Sequence, residues 1–211
     1  MGAIVPEVTH YFSEHPDVSS DPVSVDVTLG DVAFSMVTDR GVFSHGHLDT
    51  GTSLLLRSAP PPPERGDLLD LGCGSGSIAL AMALRSPQAT VWAVDTNERA
   101  RALTAANAER NGIGNLRVVA PDAVPDHVVF AAIWSNPPIR IGKQALHELL
   151  LRWLQRLGPD GSALLVVQKH LGADSLQRWL IEHGHATRRV ASRSGFRLLD
   201  VGPRHPKGET D

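Results

Sequence analysis

The chain has 211 residues, of which 42% are hydrophobic and 20% are charged, a composition typical of a folded domain and not of a disordered or fibrous chain. Its one cysteine, Cys73, excludes an intrachain disulfide and a cysteine-based metal site. The sequence has no signal-like N-terminus and no run of about 18 apolar residues, so we expect a cytoplasmic protein that does not cross a membrane.

The net charge of −3 is distributed unevenly along the chain. Residues 1–138 carry 8 Lys and Arg against 16 Asp and Glu, whereas residues 139–211 carry 12 against 7. The basic excess in the last third can attract a polyanion, or it can be a plain solvated surface. Charge alone leaves both interpretations open.

The first part of the chain is predicted to form an arm and a β-hairpin. Residues 1–21 are polar and interrupted by prolines, which indicates an extended arm. Residues 23–29 alternate valine or leucine with other residues, and residues 32–37 return after a Gly-Asp turn. A loop rich in glycine and histidine covers residues 41–51, and residues 52–58 are predicted to begin a helix.

Strand and helix patterns alternate through the rest of the chain. The predicted strands cover residues 67–71, 90–94, 116–119, 128–134, 162–167, 186–191 and 196–201, and the predicted helices cover residues 77–85, 97–111, 143–157 and 173–183. This order predicts an α/β fold with a mostly parallel, doubly wound sheet and an antiparallel terminal hairpin. We expect three parts: an N-terminal extension capping the site (1–59), a main domain (60–203) and a flexible tail (204–211).

A glycine-rich loop, from Asp70 to Gly76, joins the first strand of the main domain to its helix. Glycines permit a tight strand-to-helix turn and let a ligand approach the backbone. The Gly-x-Gly-x-Gly spacing fits the dinucleotide pattern poorly, and a preceding carboxylate suits a cationic amino-acid group better than a pyrophosphate. The loop therefore favours a sulfonium nucleoside, with Asp95 accepting hydrogen bonds from the ribose, over a dinucleotide or a purely structural turn.

A second motif, Asn136-Pro137-Pro138-Ile139, follows the fourth strand at the carboxyl edge, where doubly wound sheets bind ligands. An amide or exocyclic nitrogen is a poor nucleophile because its lone pair is delocalised, so its hydrogens must be held by acceptors. The Asn136 side-chain oxygen and the Pro137 carbonyl oxygen are the predicted acceptors, and the prolines make the backbone rigid. The alternative is a plain loop after a buried strand.

The two motifs together resemble those of class I S-adenosylmethionine-dependent methyltransferases of the methyltransferase small domain group. The nearest resemblance is to the RsmC-like small-subunit ribosomal RNA guanine-N2 methyltransferases, over about residues 10–201. The matching segments are Tyr11-Phe12-Ser13, Gly41 to Ser44, Leu48 to Gly51, Asp70 to Gly76, Asp95 to Asn97, Ser135 to Ile139, Gly142-Lys143, Val167 to Lys169 and Gly195 to Leu199.

The resemblance implies a Rossmann-like, seven-stranded sheet, S-adenosylmethionine as methyl donor, S-adenosylhomocysteine as product and a guanine of 16S ribosomal RNA as acceptor. It implies cofactor contacts from the glycine loop, the following acids and the segment before the first helix. These residues are Thr50, Gly51, Asp70, Gly72, Cys73, Gly74, Gly76, Asp95, Thr96, Asp122, Ala123 and Asn136. Asn136 and Pro137 would be catalytic, and Pro138, Ile139, Lys143 and Lys169 would contact substrate.

Two departures from the related families bear on the target. Position 139 is isoleucine, where adenine-N6 and glutamine methyltransferases usually carry an aromatic, which disfavours those relatives. The longer guanine enzymes also have a duplicated N-terminal domain that this chain lacks. Methylation of protein glutamine, of adenine or of a small molecule, and non-catalytic binding of cofactor or RNA, stay open as alternatives.

Two further expectations concern metals and partners. The segment containing His45, His47 and Asp49 superficially resembles a metallohydrolase cluster, but Thr50 stands where the final histidine would be, so we expect no metal. We expect ribosomal RNA or the small ribosomal subunit as partner. The terminal hairpin also offers an edge through which a homodimer can form.

Overall fold

The computed structural model describes residues 18–205, so most of the predicted arm and most of the predicted tail lie outside the described residues. The strands are β1 (Val23–Thr28), β2 (Ala33–Thr38), β3 (Asp67–Leu71), β4 (Thr90–Val94), β5 (Leu116–Val119), β6 (Phe130–Ser135), β7 (Leu157–Gln168), β8 (His185–Arg193) and β9 (Phe196–Arg204). The helices are α1 (Thr50–Ser58), α2 (Ser77–Arg85), α3 (Glu98–Arg110), α4 (Lys143–Leu154) and α5 (Ala173–Glu182).

The predicted fold class is confirmed by a seven-stranded sheet of order β5-β4-β3-β6-β7-β9-β8. Neighbours from β5 to β7 run parallel, and β9 is antiparallel to both β7 and β8. Strands β1 and β2 form a separate antiparallel hairpin. The chain order reverses direction between β3 and β6, which opens a crevice at the carboxyl edge of the sheet.

One core cluster lies on each face of the sheet. The first joins α1, α2 and the hairpin to the sheet, and the second joins α4 and α5 to it. Leu55, before the boundary predicted between residues 59 and 60, and Leu68, after it, belong to the same core cluster, so the packing is continuous across that boundary. The three predicted domain limits therefore stay predictions. No helix within residues 18–205 is long and apolar enough to span a bilayer.

The start of β7 differs from the prediction. The helix expected to reach residue 157 ends at Leu154, and β7 already begins at Leu157 and includes Pro159. Leu157 pairs with Phe130, whereas Ser162 pairs with Ala132 only two residues further along β6. The residues between them bulge out of the ladder, which accommodates a proline that cannot donate a hydrogen bond.

The side-chain amides of Asn107, in α3, and of Asn111, the C-cap of that helix, hold the hairpin against the main domain. Asn107 accepts a hydrogen bond from the Val37 N–H (2.7 Å) and donates to the Val37 carbonyl (2.9 Å). Asn111, one turn later, repeats this pairing on Ser35 at 3.2 and 2.7 Å. The two amides thereby satisfy backbone groups along the edge of β2.

Candidate functional site

The glycine loop between β3 and α2 requires glycine for conformational and steric reasons. Gly72, Gly74 and Gly76 have φ angles of 77°, 56° and 91°, in the left-handed region where a side chain is strained. A Cβ on Gly76 would also lie 2.9 Å from Cγ2 of Thr104. The turn leads directly into the N-terminus of α2, where free N–H groups favour a negatively charged group.

Asp95, at the end of β4, ties this loop to the next one. Its Oδ2 accepts a hydrogen bond from the Gly74 N–H, and its Oδ1 accepts one from the Asn97 N–H, both at 2.9 Å. Burial raises the pKa of this carboxyl above its usual value, against the lowering effect of the two N–H donors. Thr96 beside it is exposed.

Asp70 lies beneath the glycine loop and is fully buried. Its Oδ2 accepts a hydrogen bond from the Ala79 N–H (2.9 Å), while its Oδ1 has no hydrogen-bond partner within residues 18–205. Burial raises the pKa of Asp70 to about 8, the Ala79 N–H opposes this rise, and the nearby Asp95 carboxyl adds to it. The unpaired buried oxygen is a place for a cationic group or an ordered water.

The acceptor motif begins where β6 ends. The Ser135 hydroxyl donates to the Leu71 carbonyl at 2.6 Å, which joins this end of β6 to the end of β3. Pro137 is buried, and its carbonyl oxygen accepts a hydrogen bond from the Ile139 N–H at 2.8 Å, leaving one lone pair. The Pro138 carbonyl accepts from the Ile141 N–H at 3.1 Å. These contacts and the proline rings make the corner rigid.

The Asn136 side chain is held by α1. Its Nδ2 donates to Oδ2 of Asp49 (2.8 Å) and to the hydroxyl oxygen of Thr52 (3.1 Å). Within residues 18–205, no group donates a hydrogen bond to its Oδ1. The sequence pattern does not reveal this role of Asp49 and Thr52, because an acid before a helix predicts only an N-cap, which Asp49 also is.

One cleft joins the glycine loop to the acceptor motif. Gly72, Cys73, Gly74 and Asn136 all line it. The loop before α1 also lines this cleft and contributes Phe43, Ser44, His47, Leu48 and Asp49. The structure therefore brings the two predicted motifs to the same side of the molecule.

Phe43, in the loop before α1, is one of the residues that line the cleft. It is 46% exposed, although Val42 beside it is buried. Ser44 has a left-handed φ of 65°, and its hydroxyl donates to the His47 carbonyl at 2.8 Å. The backbone geometry of this loop therefore presents an aromatic ring at the cleft.

Several predicted site residues do not line the cleft. Asp122 is exposed, and its carboxylate pairs with Arg152 of α4 at 2.7 Å. Ala123 beside it is also exposed. Gly51 packs against the ring of Phe196, where a Cβ would lie 2.8 Å from a ring atom. The others outside the cleft lining are Thr50, Asp70, Gly76, Asp95, Thr96, Pro137, Pro138, Ile139, Lys143 and Lys169.

The histidine-rich loop does not assemble the cluster considered in the sequence. His45 Nε2 lies 2.7 Å from the Asp21 carbonyl, His47 Nδ1 lies 3.0 Å from the His45 carbonyl, and Asp49 contacts Asn136. No group of three or more metal-ligating side chains occurs in the part of the chain that the structure describes.

The sheet order, the left-handed glycine loop and the asparagine–proline corner on one cleft are the arrangement expected of a Rossmann-like methyltransferase. A family model for the methyltransferase small domain matches residues 33–200. The chain belongs to this family.

Two relatives match most of this chain. The uncharacterized protein YbxB of Bacillus subtilis is 36% identical over 193 residues, which cover 90% of this chain and 96% of that protein. Ribosomal RNA small subunit methyltransferase C of Pseudomonas aeruginosa is 33% identical over 191 residues, covering 88% of this chain and 56% of the relative. The chain thus spans about half the length of the ribosomal RNA methyltransferases that it matches.

A solved structure shares the fold. The 16S rRNA methyltransferase RsmC of T. thermophilus, in complex with AdoMet and guanosine, superposes with a TM-score of 0.74 at 23% sequence identity. The match covers 86% of this chain and 50% of that one. At this identity the likeness concerns the arrangement of strands and helices.

Proposed function

We propose that this protein methylates the exocyclic N2 of a guanine in 16S ribosomal RNA, in the cytoplasm, by direct transfer from S-adenosylmethionine. The observation that carries the proposal is the Asn136 amide, which lines the same cleft as the left-handed glycine loop. The choice of substrate is supported by the relatives that are named ribosomal RNA small subunit methyltransferase C.

The residues around the loop fit the cofactor. The unpaired Oδ1 of Asp70 suits the ammonium group of the methionine part, directly or through water, and Asp95 suits the ribose hydroxyls. Gly72 and Gly74 leave the backbone accessible beside it. When bound, S-adenosylmethionine supplies an electrophilic methyl group on a sulfonium, and S-adenosylhomocysteine is the product.

Asn136 and Pro137 orient the nucleophile. The Asn136 Oδ1 and the remaining lone pair of the Pro137 carbonyl each accept one hydrogen of the target amine, which turns the nitrogen lone pair to the methyl group. The carbonyl oxygens also stabilise the positive charge that the nitrogen gains before it loses a proton to water. Neither step requires a metal.

Phe43 offers the stacking surface that the acceptor motif lacks. Ile139 stands where related adenine and glutamine enzymes carry an aromatic, and Phe43 lines the cleft with 46% of its surface exposed. Splayed RNA bases stack on such rings. A flipped guanine between Phe43 and Asn136 is the arrangement that we propose.

The basic residues of the last third differ in how they are paired. Arg188 pairs with Asp200, and Arg189 and Arg197 pair with Asp174. By contrast, four exposed basic residues at the carboxyl edge of the sheet form no ion pair with any residue within 18–205: Arg140, Lys143, Lys169 and Arg193. These free charges support binding of RNA phosphates beside the cleft.

The experiment combines methyl transfer with product identification. Labelled S-adenosylmethionine is incubated with the protein and either naked 16S ribosomal RNA or intact small subunits, and the nucleosides are separated by mass. We expect labelled N2-methylguanosine from the parent and on the order of a hundredth of it from Asn136→Ala. Labelled N6-methyladenosine, labelled glutamine, or no product with cofactor still bound would each replace this proposal by one of the alternatives.

A further inference from the structure

The Asn136 amide sits between two acceptors at its nitrogen end. Oδ2 of Asp49 lies 2.8 Å from Asn136 Nδ2, and the hydroxyl oxygen of Thr52 lies 3.1 Å from it. Asp49 and Asn136 are 87 positions apart in the chain. The contact therefore joins the N-terminus of α1 to the acceptor motif across the cleft.

This contact determines which way the amide faces. An ionised carboxylate can only accept hydrogen bonds, so a flipped Asn136 would place its oxygen against the oxygen of Asp49. With Nδ2 on Asp49, the oxygen of the amide is left for another donor. A charge-assisted bond also polarises the amide and makes Oδ1 a stronger acceptor.

We propose that Asp49 is a positioning residue that fixes the amide orientation of Asn136, so that Oδ1 receives a hydrogen of the target amine. The catalytic part of this inference rests on the function proposed above. The contact itself is a property of the folded chain and can be measured without substrate.

Asp49 is itself held firmly. Its Oδ2 accepts a hydrogen bond from the Thr52 N–H at 2.8 Å, which caps α1, and its carbonyl accepts one from the Ser53 N–H at 2.8 Å. Gly51 packs the first turn of α1 against Phe196 of β9, with no room for a side chain. The position of the carboxylate is thus set by the docking of α1 on the sheet.

Two substitutions separate the helix cap from the contact with Asn136. Asp49→Ser keeps an N-cap oxygen but is too short to reach Asn136, whereas Asp49→Asn keeps an acceptor oxygen of the same reach. We expect Asp49→Ser to lower kcat about 10- to 100-fold, with KM for RNA and the Kd of cofactor within about threefold of the parent. Asp49→Asn should recover most of the lost rate.

An activity-independent readout is the side-chain amide resonance of Asn136 in a ¹H–¹⁵N spectrum, identified by its absence from Asn136→Ala. The resonance should move in Asp49→Ser and stay near its parental position in Asp49→Asn. An unmoved resonance, or a parental kcat for Asp49→Ser, would overturn the inference. Failure of the parent to methylate RNA would instead overturn the proposed function and the catalytic role of Asp49, while the resonance still decides whether the contact exists.

Discussion

Replacing Asn107 with alanine tests how the hairpin and the glycine loop are held together. This buried amide accepts a hydrogen bond from the Val37 N–H at 2.7 Å and donates to the Val37 and Ser75 carbonyls, both at 2.9 Å. Each hydrogen bond contributes about 1 kcal/mol, and alanine regains about 0.5 kcal/mol of helix propensity. We expect the free energy of unfolding to fall by about 2.5 kcal/mol.

The assay is urea unfolding without cofactor, with Asn111→Ala as the matched control. Asn111 pairs with Ser35 in the same way, but these two contacts are exposed and water can replace them. Its loss should be about 1 kcal/mol or less. Equal losses for the two variants, or a loss below about 1 kcal/mol for Asn107→Ala, would show that the Asn107 amide does not hold the hairpin and the glycine loop together.

Two further predictions concern charge. The carboxyl of Asp70 has a pKa of about 8 in the folded chain against 3.8 for the free group, so the stabilisation it provides is complete below about pH 4 and is lost as the pH rises through about 8. This loss should be missing from Asp70→Asn in unfolding curves measured from pH 5 to 9, and identical pH profiles would contradict the assignment. Lys169→Ala should weaken RNA binding and reduce its salt dependence without changing cofactor affinity, as measured by fluorescence titration at several salt concentrations. Equal RNA affinity of mutant and parent at low salt would exclude that role.

Local sequence patterns located much of the fold. The bounds of β3, β4, β5 and α2 agree with the predictions, because glycines, prolines or polar residues flank short apolar runs there. The pattern failed at residues 157–161, where a proline read as a helix stop lies in the bulged start of β7. A bulge depends on the partner strand, so the local sequence does not reveal it.

The site could be predicted only in part. The glycine loop and the asparagine–proline corner carry their chemistry in adjacent residues, so their positions at the carboxyl edge followed from the order of strands. The pairing of Asn136 with Asp49 depends on how α1 docks beside the cleft, and the exposed pairing of Asp122 with Arg152 depends on α4. Contacts between distant segments such as these have no periodic pattern in the sequence.

The proposed role of Asn136 is to present an amine to the methyl group above the glycine loop. Its most direct test is the single-turnover rate of methyl transfer by Asn136→Ala, with saturating cofactor and RNA, beside the Kd of S-adenosylmethionine from calorimetry. We predict a rate lower by a factor on the order of 10² and a Kd within about threefold of the parental value. A variant that transfers methyl groups as fast as the parent would exclude this role of Asn136.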